Sequence, residues 1–185
     1  MNMHIFPGDI TLFPGDAIVN AASPGLRKGR GVCGAIHRAG GAAIAASCRD
    51  IIRRQGALSS GQAVLTTAGD LPCRYVIHAV GPRWYYGLWA ARQDALLAQT
   101  YRASLTLAKG AAIRHLAFPC ISTGHYGYPA ERAAAVAVMT VREYLKHHDM
   151  TVTFVCSDER DVLIYRRLLA TTWSVDENKT KGAAR

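Results

Sequence analysis

Two stretches of this chain combine glycines, hydroxyls and other small residues in a way that suits the binding of an anion. One reads Pro119-Cys120-Ile121-Ser122-Thr123-Gly124-His125-Tyr126-Gly127-Tyr128-Pro129; the other spans 25–34 and ends in Gly31-Val32-Cys33-Gly34. Glycine lets a backbone turn sharply and approach a ligand closely. Backbone N–H groups entering a helix, reinforced by its macrodipole, favour a negative group and most often a phosphate. Each stretch leaves a strand-like run (residues 116–118 and 17–20) for a helix-like one, the place where ligands sit in α/β folds. Two such loops in one small chain point to a ligand with two phosphates.

The elements that must hold these loops are legible from hydrophobic patterning. Strand-like runs fall at 3–6, 17–20, 63–67, 75–80, 115–118 and 151–156, and helical patterns at 42–55, 92–109, 130–147 and 159–170. Strands separated by helices of this length need crossover connections, hence a largely parallel sheet covered on both faces. Val-, Ile- and Ala-rich strands fit burial on both sides. Gly69-Asp70-Leu71-Pro72 is a turn between two strands, and Gly81-Pro82 ends another. One domain is expected over residues 1–173, followed by a polar, disordered tail at 174–185.

Composition removes whole classes of function. The chain has 185 residues, half of them hydrophobic, which is enough for a full core. No apolar run is long enough to span a membrane, and the opening MNMHIFPGDI lacks a signal pattern, so a cytoplasmic location is expected. Five cysteines without paired spacing read as reduced, buried thiols. The net charge of +9 favours anionic partners without choosing among them; no helix-turn-helix, zinc-finger or RNP signature accompanies it. Gly29-Arg30-Gly31-Val32-Cys33-Gly34 has dinucleotide-fold glycine spacing but lies about eight residues past its strand, where that fold requires a tight turn. The segment 56–63 has P-loop glycines without the lysine. Cys33 and His37 are four apart but gain no third ligand at recognisable spacing, so no metal and no cofactor is expected.

Five ordered segments carry a resemblance: Gly8-Asp9-Ile10-Thr11, residues 17–22, Gly31-Val32-Cys33-Gly34-Ala35-Ile36-His37-Arg38-Ala39-Gly40, Tyr75-Val76-Ile77-His78-Ala79-Val80-Gly81-Pro82 and the 119–129 loop. Together they resemble a macrodomain, the ADP-ribose-binding fold, and most the bacterial O-acetyl-ADP-ribose deacetylase branch. The resemblance implies a three-layer α/β/α sandwich with a mixed, mostly parallel central sheet. It also implies that Asp9 accepts from the adenine amino group while the Ile10 backbone fixes the ring. Asp9 read alone is a turn residue. Asn20 and Ser23 belong to the motif beside the terminal ribose. Gly31, Val32 and Cys33 would cradle one side of the diphosphate, and Ser122, Thr123, Gly124, His125 and Tyr126 the other. Tyr126 packs against a ribose or closes the cleft; a lone tyrosine would read as core packing.

The chain also departs from that pattern. The second asparagine of the usual Asn-Ala-Ala-Asn is Ser23, a shorter side chain with less reach, and the aspartate usually proposed as general base is Cys33, a poor substitute for a carboxylate. Viral macrodomains with hydrolase activity resemble this chain in carrying cysteine there, with the diphosphate helping to activate water. Lys28 and Arg30 replace glycines, and Arg30 either pairs with phosphate or points to solvent. Ser157 stands where relatives often stack an aromatic on adenine. The expected function is ADP-ribose binding with hydrolysis, weak if retained, of O-acetyl-ADP-ribose or of mono-ADP-ribosylated acidic side chains, the catalytic positions being Ser23 and Cys33. The alternatives are a non-catalytic ADP-ribose reader, or a module that binds poly-ADP-ribose or RNA through Arg27, Lys28 and Arg30. The expected partner is ADP-ribose or an ADP-ribosylated protein.

Overall fold

The computed structural model describes residues 2–171, so the tail expected at 174–185 lies outside the described residues. Six strands, β1 (Met3–Pro7), β2 (Ala17–Ala21), β3 (Ala63–Thr67), β4 (Tyr75–Ala79), β5 (His115–Phe118) and β6 (Thr151–Cys156), form one sheet in the order β1-β6-β5-β2-β4-β3. Every neighbouring pair is parallel except β3 with β4. That exception follows from length. Residues 68–74 are too few for a crossover, which needs a dozen or more, so the chain reverses and pairs antiparallel.

Five helices cover the sheet: α1 (Gly31–Gly40), α2 (Ala42–Gln55), α3 (Ala90–Gly110), α4 (Ala130–Leu145) and α5 (Glu159–Thr171). Alternate strand residues choose the face. Val19, Ile77, Leu116 and Phe154 pack with Leu97, Val138 and Tyr165 of α3, α4 and α5. Ile18, Val76, Ala117 and Val155 pack with Ile36, Ile44 and Cys48 of α1 and α2. The result is a three-layer α/β/α sandwich with a mixed sheet. Helix α1 is separate from α2 because Gly41 takes φ +72 between them, a left-handed conformation that suits only glycine. Helix α4 stops at Leu145, two residues short of the expected end, and β4 stops at Ala79 because Val80 turns to exchange bonds with Gly61 and Gln62. Among the described residues no helix is long and apolar enough to cross a membrane.

The site is decided by the two central strands. β2 and β5 are parallel neighbours, yet the chain leaves β2 for α1 on one face and β5 for α4 on the other. Loops that diverge to opposite faces leave a crevice at the carboxyl ends of their strands. The opposite ends are tied together by Asp16, whose Oδ2 accepts the amides of Arg114 and His115 at 2.9 Å each. Those two bonds hold its carboxyl below the usual aspartate range.

Candidate functional site

A cavity of about 780 Å³ opens between the β2–α1 and β5–α4 loops. One wall is residues 29–33 with Ala22 and Ser23; the other is residues 119–122 and 124–126, with Gly81 between them. Eight expected positions meet here: Ser23, Gly31, Val32, Cys33, Ser122, Gly124, His125 and Tyr126. The size lies within the range of small-molecule sites.

Each wall presents uncommitted backbone donors. On the first, α1 begins with no side-chain cap from Arg30, and its earliest described bond is Gly34 N–H to the Arg30 carbonyl. The amides of Gly31, Val32 and Cys33 are therefore the orphan donors of a helix start. On the second, Gly127 donates to Gly124 and Tyr128 to the Ser122 carbonyl, both at 3.0 Å, which folds the loop on itself. The amides of residues 122–126 donate to no protein acceptor among the described residues. Ser122 is the most informative side chain. It is buried, it adopts φ 68, and its Oγ has no hydrogen-bond partner. A strained backbone and an unpaired buried hydroxyl both cost free energy unless a ligand uses them.

The cavity tolerates the departures in the first loop. Lys28 and Arg30 need no glycine-like conformation: within 27–31 only Gly31 has positive φ, and Arg30 is extended at φ −96, ψ 177. Arg30 lines the cavity, which favours the phosphate-side reading over the solvent one. Gly34 is needed for packing, because a Cβ there would lie 2.4 Å from the Gly29 carbonyl oxygen.

Four expected contact residues do not line the cavity. Asp9 caps a 3-10 turn (Ile10–Leu12), its Oδ1 accepting from Thr11 N–H at 2.9 Å and Thr11 Oγ1 at 2.8 Å. It sits at the carboxyl end of β1, beside β6, where Gly8 N–H bonds the Cys156 carbonyl; Ser157 follows, exposed. Asp9 and Ile10 thus lie at the far end of the same sheet edge. Thr123 turns its hydroxyl back to the Cys120 carbonyl at 3.0 Å. Asn20 is fully buried, its amide donating to His78 Nδ1 at 3.0 Å and to Cys33 Sγ at 3.7 Å, while its Oδ1 has no hydrogen-bond partner among the described residues. Through these bonds it ties the floor of the cleft to β4 and α1.

Cys33 is likewise turned inward. Its thiol donates to the Arg27 carbonyl at 3.6 Å, so the proton it carries is committed to the protein. Beneath it lies a group no sequence spacing foretold. His37, Cys48 and His78 bring their ligand-type atoms within 4.8 Å of one another. The fold, not the Cys33/His37 spacing, assembles this cluster. His78 is already occupied: Nδ1 accepts from Asn20, which places the proton on Nε2, donating to Thr66 Oγ1 at 2.9 Å while that hydroxyl donates to the Thr67 carbonyl. Burial, with His37 nearby, lowers its pKa to about 3. Burial also lowers the pKa of His37 and pushes the Cys48 thiol up to about 11. Burial keeps these groups in their neutral forms, and both ring nitrogens of His37 have no hydrogen-bond partner among the described residues.

The second wall is braced from outside. Tyr128 donates its hydroxyl to Asp94 at 2.6 Å, and Arg132 grips the same carboxylate at 2.6 and 2.9 Å. The Arg132 bonds, with the Tyr128 hydroxyl, hold the Asp94 carboxyl below its usual range. Trp84 packs on Tyr128 with ring centroids 4.7 Å apart, and its backbone N–H donates to the Tyr126 carbonyl. Gly81, also part of the wall, escaped sequence reasoning as a site residue, although its place after β4 in a Gly-Pro pair was a signal.

Comparison with known proteins matches this geometry. The chain is 52% identical over 166 residues to a protein of Klebsiella pneumoniae (strain 342) named O-acetyl-ADP-ribose deacetylase, covering 88% of this chain and 93% of the relative. The Oceanobacillus iheyensis macrodomain with ADP superposes with a TM-score of 0.86 at 38% identity, covering 92% of this chain and 90% of the other. The Trypanosoma brucei macrodomain in complex with ADP-ribose superposes with a TM-score of 0.79 at 34% identity, covering 91% of this chain and 69% of the other. The profile of the Macro domain matches residues 19–137. With that match, this fold and that cleft, the chain belongs to the macrodomain family.

Proposed function

We propose that the cleft binds ADP-ribose and hydrolyses esters at its terminal ribose, as in O-acetyl-ADP-ribose or in ADP-ribosylated acidic side chains. The observation that carries this is the pair of facing walls with unpaired backbone donors and the orphaned Ser122 Oγ between them. The diphosphate accepts from Gly31, Val32 and Cys33 on one side and from the 122–126 amides on the other, with Arg30 beside it. Adenine extends toward Asp9 and Ile10, and the terminal ribose lies between Ser23 and Tyr126. For the acetyl ester, water adds to the acyl carbon, the carbon–oxygen bond to ribose breaks, and acetate and ADP-ribose leave. One of the water's protons ends on the ribose oxygen, and the other is released to solvent as the acid ionises to acetate.

Because the Cys33 thiol already donates to Arg27, its contribution is the backbone N–H. Water is activated by the bound diphosphate and turnover is slow. That same bond favours the second reading, a reader that binds ADP-ribose without turnover. Cytoplasmic location and an ADP-ribosylated protein partner belong with the first reading.

Calorimetry with ADP-ribose tests the shared claim, and chromatography of O-acetyl-ADP-ribose incubated with the protein tests turnover. Asp9→Asn is the sharper variant. It keeps the cap on Thr11 while placing a donor where the adenine amino group needs an acceptor. ADP-ribose should weaken by about 1–3 kcal/mol with little change in thermal stability. Equal affinity in the two proteins would show that adenine lies elsewhere.

A further inference from the structure

A second groove of about 690 Å³ adjoins the first and shares Gly81 and Tyr126 with it. Its character differs. Arg83 and Arg92 line it with Tyr85 and Trp89, and no carboxylate borders it. Tyr85 is 53% exposed and Trp89 71%. Tyr86 and Trp89 take φ 47 and 64, a region where bulky residues are outliers, so the fold spends strain to hold these rings outward. The segment carrying them is anchored: Trp84 is packed on Tyr128, Leu88 N–H bonds the Tyr85 carbonyl, and Gln93 N–H bonds the Trp89 carbonyl. The Arg83 guanidinium lies 4.8 Å from the Tyr126 ring centroid, at the partition between the grooves.

We propose that this groove binds single-stranded nucleic acid, with bases stacked on Tyr85 and Trp89 and phosphates paired with Arg83 and Arg92. Flat aromatic faces beside guanidinium groups are the means by which single strands are held without sequence preference. An acidic peptide would satisfy the two arginines but leave both rings exposed. The absence of a carboxylate in the groove and the net charge of +9 both favour a polyphosphate strand. The proposal does not depend on the ADP-ribose reading, because the second groove needs no occupant in the first.

The test is fluorescence anisotropy of a labelled oligouridylate of roughly eight nucleotides, a length within the usual single-strand footprint, titrated with the full chain. Binding should fall with salt at a log–log slope of about −1.4 if two phosphates are paired. Trp89→Asn, which removes the ring while tolerating the left-handed backbone, should weaken binding about tenfold. Arg92→Gln should remove about 0.7 from the slope. Both variants should bind ADP-ribose in calorimetry as the parent does. No anisotropy change at about 100 µM protein, the weak end of non-specific binding, overturns the proposal. An unaltered Trp89→Asn overturns it too, as does displacement of the strand by polyglutamate as effective as by unlabelled oligonucleotide. Loss of ADP-ribose binding with strand binding intact would count against the first site alone.

Discussion

Gly81 offers the most direct test of how the cleft is built. A Cβ at this position would lie 2.2 Å from Ser122 Oγ and 2.7 Å from Ile121 Cγ2. Against the 3.4 Å floor of ordinary contact, the shortfall at Ser122 is about 1.2 Å. Ser122 has little room to yield, since it is buried at φ 68 and its carbonyl is held by Tyr128 N–H. Gly81→Ala must therefore turn the Ser122 Oγ, which no hydrogen bond holds, and displace the Ile121 methyl, shifting the groove wall by up to about 1 Å, a displacement that can cost on the order of a hundredfold in a positioned reaction. Overpacking of this kind costs about 1–3 kcal/mol of stability, or about 2–12 °C in Tm for a chain of this size. The assays are ADP-ribose calorimetry, ester turnover and thermal melting on the same preparations. Ser122→Gly in the Gly81→Ala background removes the nearest clashing atom and relieves the positive φ, leaving only the Ile121 methyl to adjust. It should recover much of the affinity, as neighbouring sites that share one contact do in a double-mutant cycle. Gly81→Ala with affinity and turnover within about twofold of the parent would refute the reasoning, because 1 Å would then be immaterial at this wall.

Two further predictions concern the cleft floor and the histidines beneath it. Ser23→Asn with Cys33→Asp restores both usual polar groups and should raise ester turnover by about tenfold or more, the scale of a positioned general base; equal rates in a stopped time course would mean these positions do not carry the chemistry. His78 sets an acid limit. Its folded pKa of about 3 lies below the ordinary 6.5, so its stabilisation is complete above pH 6.5 and lost as pH falls toward 3. The loss is about 1.4 kcal/mol per pH unit once below the unfolded value, and His37, lowered in the same direction, adds to it. Urea unfolding at pH 7 and pH 5 should show this decline and His78→Gln should flatten it; a parent equally stable at both values would contradict the assignment.

Much of the architecture was legible because strands and helices announce themselves by period. Residues 63–67, 115–118 and 151–156 read as strands and are strands with those bounds. The less certain edges lay where tertiary bonds compete with pattern, as at Val80, which leaves the sheet to bond Gln62. The candidate site was legible as two small-residue loops because backbone donors need glycine and hydroxyl neighbours, and those leave a compositional trace. The pairing of Asn20 with His78 was not legible, because a polar residue in a motif looks the same whether it faces a ligand or a buried histidine.

Residue order alone pointed to the layered architecture and the two loops rich in glycine and hydroxyls, since each depends on near neighbours in the chain. Which loops face one another was decided only by folding, because β2 and β5 become neighbours through pairing across about a hundred residues. The same long-range pairing turned the Cys33 thiol toward Arg27, gathered His37, Cys48 and His78 beneath the floor, and set Gly81 against Ser122. Distances between segments remote in sequence are set by packing of the whole core, and no local pattern encodes them.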